Sequence, residues 1–331
     1  MTVFSALPAR LAFSLLSPSG PRARLSILIF HRVLPQPDPI FPSEPHAASF
    51  DAMMGWLRQC CQVLPLDDAV RRLREGSLPA RAAAITFDDG YADNHDVAMP
   101  ILQRHGLSAT FFVATGFLDG GQMWNDTVGE AVRYCQLPVL DLGDLGLPGS
   151  GPTRLAMAGP AQRRQAISAL IDRIKYCRHE QRLSLSTAVA ERAGVCQRRD
   201  LMMSSQQVRG LRDGGMLIGA HTHNHPILAK LQLDAARDEI ERSKRQLEDL
   251  LSEQIKLFAY PNGVPGTDYV AGSVACARSL GFEAAVSTSW GAAHQGSDPF
   301  QLPRFTPWDR TAARFYGRLA ANLRRPGLAV I

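Results

Sequence analysis

Ala84-Ile85-Thr86-Phe87-Asp88-Asp89-Gly90-Tyr91 is a β-branched and aromatic run that stops abruptly at two adjacent carboxylates and a glycine. Such a run predicts a buried strand ending in a turn. Side chains alternate along a strand, so neighbouring aspartates would point to opposite faces. A turn at the strand end relaxes that rule, and Gly90 gives the backbone room to aim both carboxylates into one cleft. Two like charges so close are unfavourable unless a cation or a shared proton offsets them. Taken alone, such a stretch is more often a loop with two solvated aspartates.

Well downstream, Gly219-Ala220-His221-Thr222-His223-Asn224-His225-Pro226 follows a short apolar run, Met216-Leu217-Ile218. Three histidines at alternate positions are hard to explain by packing. Neutral imidazoles with a carboxylate are the usual nitrogen and oxygen set for a divalent metal with open coordination positions. A polar turn with one structural histidine is the competing account.

Together, TFDDGY at 86–91 and HTHNHP at 221–226 resemble the first two motifs of the polysaccharide deacetylase family, the NodB-homology or carbohydrate esterase 4 group. Those motifs are T-F-D-D-G and H-[ST]-x-x-H, and both are matched in order. The resemblance implies Asp88 as general base, with Asp89, His221 and His225 as metal ligands; His223 falls at an x position. It also implies an α/β fold, a distorted and incomplete parallel (β/α) barrel over roughly Arg24 to Arg318 with a helical insertion at 137–203. A 1–23 extension precedes this domain and a 319–331 tail follows it. Zinc is the default cation for this ligand set, and cobalt, nickel or iron would fit the same ligands.

Other segments extend the resemblance or depart from it. Leu25 to Phe30 reads as a buried strand and ends in His31-Arg32-Val33, similar to the family's Y-H-R-V, which makes His31 a candidate for the active-site rim. Trp124 sits where the family commonly has an aromatic, and the backbone N–H of Tyr91 is a candidate oxyanion donor. The family's third motif usually brings an arginine near a proline. Here Phe258-Ala259-Tyr260-Pro261-Asn262-Gly263 has none and fits a Y-P-x-G variant, with Tyr260 and Pro261 as candidate substrate contacts. The late L-x-H, source of the general acid, is replaced by Leu302-Pro303-Arg304. Arg304 is then a candidate to orient Asp88 or simply a structural ion pair, and His31 or His294 a candidate acid.

The rest of the chain sets bounds. Its 331 residues are 45% hydrophobic and 20% charged, which suits one large globular domain or two small ones. Net charge is +5, carried mostly by arginine. No basic cluster or repeat points to nucleic acid. The six cysteines form neither a zinc C-x-x-C nor a disulfide framework, which favours reduced thiols and the cytoplasm. No run of about 18 apolar residues is present. Val3 to Leu16 is apolar, interrupted by Pro8 and Arg10, and lacks the features of a signal peptide. Ordinary packing or a loosely held end is favoured for it over a peripheral membrane segment.

Along the chain, strands are expected at 82–87, 109–113, 216–218, 256–260, 282–287 and 301–305. Helices are expected at 50–62, 93–105, 161–176, 186–193, 206–213 and 233–251. The charges of 233–251 should form a solvated outer face. Leu140 to Pro152 reads as loop by composition, and the insertion as a helical cover or a substrate platform.

The expected function is metal-dependent hydrolysis of an N-acetyl group on an amino sugar of a glycan. An O-acetyl ester or small amide on the same site remains an alternative, as does a glycan-binding protein that has lost its general acid.

Overall fold

Phe30, Phe87 and Phe111 stand in register on three neighbouring strands and stack across them, with ring centroids 5.3 and 4.7 Å apart. Phe50 closes the stack edge-on at 5.2 Å from Phe30. This apolar ladder is the reason the strand ahead of Asp88 is buried along its whole length. The computed structural model describes residues 7–307, 309–325 and 331, so parts of the 1–23 and 319–331 segments lie outside the described residues.

Two compact units are present. The larger consists of Met1–Gln36, Pro45–Leu118 and Met203–Ile331; the smaller of Pro37–Glu44 and Asp119–Met202. The strands are β1 (Ser26–Phe30), β2 (Gln62–Val63), β3 (Ala82–Phe87), β4 (Thr110–Val113), β5 (Val139–Asp141), β6 (Arg154–Ala156), β7 (Leu217–Ala220), β8 (Leu257–Ala259) and β9 (Ala284–Val286). In the larger unit the order is β1-β3-β4-β7-β8-β9, every pairing parallel, with β2 flanking the start of β3. Intervening helices such as Ala47–Cys60, Ser205–Asp213 and Leu233–Leu251 cover the strands. This is the expected α/β fold, a curled, incomplete parallel (β/α) barrel.

The segment 301–305 is not the continuous strand its composition suggests. It makes single bridges instead: Leu302 to Val286 on β9 and Phe305 to Leu28 on β1. The Phe305 N–H donates to Ile27 O at 2.7 Å and the Leu302 N–H to Ala285 O at 3.0 Å. Pro303 between them has no N–H to continue a ladder. The first and last strands are thus stitched, not paired.

Further expectations are refined. The helix read over 93–105 is continuous, but it widens to a π-helical turn at Asn94–Ala98 before the α-helix Met99–Arg104, which contains Pro100. In the smaller unit, β5 and β6 pair antiparallel where loop was expected. Only Leu140 and Leu155 of those strands point into the core, so the glycines and prolines between them masked a short hairpin. The helices Trp124–Tyr134, Pro160–Ile174 and His179–Ala193 complete this unit. The unit begins at Asp119 and takes in 37–44, a wider span than 137–203. Among the described residues no helix is long and apolar enough to cross a membrane.

Gly219 in β7 is required by its neighbours: a Cβ there would overlap the Phe112 ring and come within 3.0 Å of Leu257 O. Gly219→Ala should destabilise the protein by about 1–3 kcal/mol through overpacking. A urea midpoint equal to that of the wild type would contradict this account.

Candidate functional site

Asp88 still belongs to the ladder, its N–H donating to Phe30 O at 3.0 Å. Asp89 leaves it. Its φ of 77° is in the left-handed region, followed by Gly90 at 91°, and this swings the second carboxylate out of strand alternation. The sequence reading assigned that freedom to Gly90; the structure shares it between both residues. Met203 N–H donates to Gly90 O at 2.9 Å, and Ala114 N–H to Asp89 O at 3.2 Å, which hold the turn.

β7 delivers the histidines to the same end of the sheet. Val113 pairs with Ala220, and the His221 N–H donates to Val113 O at 3.1 Å. The His221 Nδ1 lies 2.8 Å from Ala259 O, a contact that makes Nδ1 the protonated nitrogen and leaves the Nε2 lone pair facing Asp89. His221 Nε2 and His225 Nε2 are each 3.4 Å from Asp89 Oδ1. Thr222 and His225 also hold left-handed φ values, 63° and 51°. The Thr222 Oγ1 accepts the His225 N–H at 3.1 Å and so fixes the bend.

Asp89 Oδ1 is buried and has no hydrogen-bond partner. A buried acceptor with nothing to accept is costly, and a cation among these three atoms would remove the cost. Ligand atoms of a tetrahedral site with bonds of about 2.1 Å lie about 3.4 Å apart, which is the spacing found. Asp89, His221 and His225 therefore fit a divalent metal.

Asp88 faces different chemistry. Arg304 grips it with both terminal nitrogens, Nη1 to Oδ1 at 2.7 Å and Nη2 to Oδ2 at 2.6 Å. The Arg304 Nε donates to Ser287 O at 2.8 Å, and the side chain is fully buried. Burial pushes the Asp88 carboxyl up, but Arg304 and then His221 outweigh it and hold it below its ordinary value. At Asp89, burial is outweighed by His221, His225 and His31, and the carboxyl stays far below the carboxylate range. Desolvation pushes His225 down to about 4, so this ring is neutral at working pH. His221 is also opposed by burial, but the facing Asp88 and Asp89 raise it above its ordinary value.

The remaining expected residues divide. His31 is exposed and follows Phe30, which pairs with Phe87 just ahead of Asp88, and this puts it on the rim. His294 is excluded as the acid: it follows Ala293, which pairs with Leu25 at the opposite end of β1. His223 turns away, its Nδ1 3.0 Å from Thr115 Oγ1. Tyr91 is buried with the Arg32 guanidinium 4.7 Å above its ring. Tyr260 is fully buried, stacked on Tyr269 at 3.9 Å, and burial raises its phenol well above the usual range. Its side chain is part of the main core, which corrects the reading of Tyr260 as a substrate contact; Pro261, next in the chain, is buried. Trp124 opens a helix of the smaller unit, with Arg182 over its ring at 5.6 Å.

Two supporting residues escaped the sequence reading. Asp93 receives Arg32 at 2.8 Å and the Val33 N–H at 3.1 Å, tying down the turn that carries His31. Glu239, read as part of a solvated face, instead accepts from the His223 N–H at 3.1 Å, the Asn224 N–H at 2.7 Å and the Asn224 amide at 2.7 Å. Only the fold reveals which charges of that helix turn inward.

A family model described as polysaccharide deacetylase matches residues 75–135 and 184–285. Over 93 residues the chain is 34% identical to YxkH of Bacillus subtilis (strain 168), named as a polysaccharide deacetylase. That match spans 28% of this chain and 32% of YxkH, about a third of the relative's length. The structure is similar to Streptococcus pyogenes deacetylase PplD in complex with acetate, with a TM-score of 0.58 and 19% identity over 92% of this chain and 99% of that one. It is equally similar to IcaB from Ammonifex degensii, with a TM-score of 0.58 and 18% identity over 93% and 99% of the two chains. With both motifs inside the matched segments and their side chains converging at the strand ends of this fold, the chain belongs to the polysaccharide deacetylase family.

Proposed function

We propose that this protein is a metal-dependent hydrolase that removes N-acetyl groups from amino sugars of a polysaccharide or glycan precursor. The observation that carries this reading is a pair of adjacent aspartates with opposite environments at one sheet end. Asp89 joins two imidazole nitrogens around an unfilled acceptor site, while Asp88 is withheld from it by Arg304. A pure metal-binding site needs no second carboxylate; a hydrolase needs one to take a proton.

Asp89 Oδ1, His221 Nε2 and His225 Nε2 would hold the cation, zinc by default. When bound, such a cation polarises a carbonyl and makes a water more acidic. Asp88, kept ionised by Arg304, accepts the proton of the attacking water. Arg304 fixes the orientation of that carboxylate with its two parallel bonds. His31, on the rim, returns a proton to the leaving amine.

The test is acetate release from N-acetylglucosamine oligomers by zinc-loaded protein, with Asp88→Asn at matched metal content. The wild type should release acetate, and the variant should lose about 100-fold or more while retaining metal. Release from O-acetyl esters alone, or none at all with stoichiometric metal, would overturn the N-deacetylase reading.

Arg304→Met should cost about 3–5 kcal/mol in urea unfolding, because it strands a buried carboxylate. Adding Asp88→Asn to the same chain should restore most of that loss. A single-variant loss below about 1 kcal/mol would show that the ion pair does not hold Asp88.

Glu239→Ala should weaken zinc binding about 10- to 100-fold by releasing the loop that aims His225, with the circular dichroism spectrum unchanged. Unaltered affinity in a zinc titration would remove Glu239 from the supporting set.

A further inference from the structure

The helix Leu7–Leu16 is apolar on both sides. Its inner side puts Phe13, with Ala9 and Leu16, on the main core, and Phe13 meets Tyr316 of the helix Ala312–Arg324 at 6.2 Å. Its outer side carries Leu7, Leu11 and Leu15, which are 61, 62 and 84% exposed. These follow one another at intervals of four and so form a single row. A surface helix ordinarily turns charged residues to solvent, as the helix Leu233–Leu251 does with Arg237, Glu241 and Arg245. The Leu7–Leu16 helix has one charge, Arg10, and no acid.

Cations surround the row. Arg10, Arg58 and Arg81 line the same shallow hollow as Leu7. Arg81 is anchored to Ser14 of this helix at 2.9 Å. Residues 1–37 and 310–331 together hold nine arginines and no aspartate or glutamate, so in a chain of net charge +5 the remainder is net negative. Four of the nine, Arg10, Arg314, Arg318 and Arg324, lie on the two helices that meet through Phe13 and Tyr316.

We propose that this face docks on an anionic lipid bilayer. The leucine row enters the boundary between headgroups and acyl chains, and Arg10 and Arg58 meet lipid phosphates. A second copy of the chain fits the face poorly, because a two-fold contact would set these arginines against their own equivalents. The proposal is independent of the reaction catalysed.

The test is co-sedimentation of the full chain with vesicles of phosphatidylcholine alone, or with about one third phosphatidylglycerol. The wild type should bind the mixed vesicles, and less so as salt rises. Leu7→Ser, Leu11→Ser and Leu15→Ser combined should lose binding about 100-fold or more. Arg10→Gln with Arg58→Gln should lose about 10- to 30-fold. The leucines are exposed, so an unchanged urea midpoint will show that the fold survives. No vesicle binding by the wild type, or equal binding by the triple serine variant, would overturn the proposal. A wild-type dimer in sedimentation velocity that the triple variant abolishes, without vesicle binding, would assign the row to a second copy instead.

Discussion

Asp88 is enclosed and ionised at once, and Arg304 first of all, with His221 behind it, makes those two conditions compatible. A carboxylate buried alone would take up a proton to avoid the cost of desolvation. The guanidinium that prevents this is itself fully buried, so it too must be supplied with acceptors on every side. It finds Asp88 after β3, Ser287 O after β9 and the Thr86 hydroxyl at 3.3 Å. Thr86 in turn donates to Leu28 O on β1. The first strand and the last must therefore approach each other before this pair can form. The stitched segment 301–305 brings them together and carries Arg304 on its own backbone. Sheet curvature and site electrostatics are one constraint.

Once Asp88 is saturated with donors, its neighbour is defined by contrast. Asp89 Oδ1 receives none. Among the described residues seven non-glycine positions have left-handed φ, and three of them are Asp89, Thr222 and His225. Such conformations cost of order 1–3 kcal/mol each and persist only where the surroundings hold them. Here the holders are visible: Ala114 N–H on Asp89 O, Thr222 Oγ1 under the His225 N–H, and Glu239 beneath the loop. A strained, braced loop that brings an orphaned acceptor and two imidazole nitrogens to one point fits a cation.

Much of this was legible because the signals are local. Strand β3 announces itself by its β-branched and aromatic run, and the histidine cluster is too dense for packing. What stayed hidden depends on contacts distant in sequence. Tyr260 looked like a substrate contact because its Y-P-x-G turn stands where the family's third motif is expected; in the fold it lies against Tyr269. Glu239 sits among charges that do face solvent, and nothing in the helical period separates it from them. The smaller unit recruits 37–44, a proline-rich stretch that composition marks as a loop without showing which unit it joins. His294 was plausible until Ala293 paired with the wrong end of β1.

Arg304 also explains why the departures from the family pattern need not mean lost chemistry. The resemblance leads one to expect an arginine beside a proline in the segment that here reads Phe258 to Gly263, and none is present. The requirement of the proposed mechanism is not a motif, however, but a guanidinium fork beneath the carboxylate that would act as base. Parallel strands that end at one rim make their C-terminal residues neighbours whatever their order in the chain. An arginine after β9, brought to β3 by a curled sheet, satisfies the requirement as well as one nearer in sequence. The same reasoning applies to the missing L-x-H. On the proposed mechanism the acid has to stand on the rim and exchange protons with solvent. His31 is exposed, and Asp93 holds the turn that carries it just after the first strand.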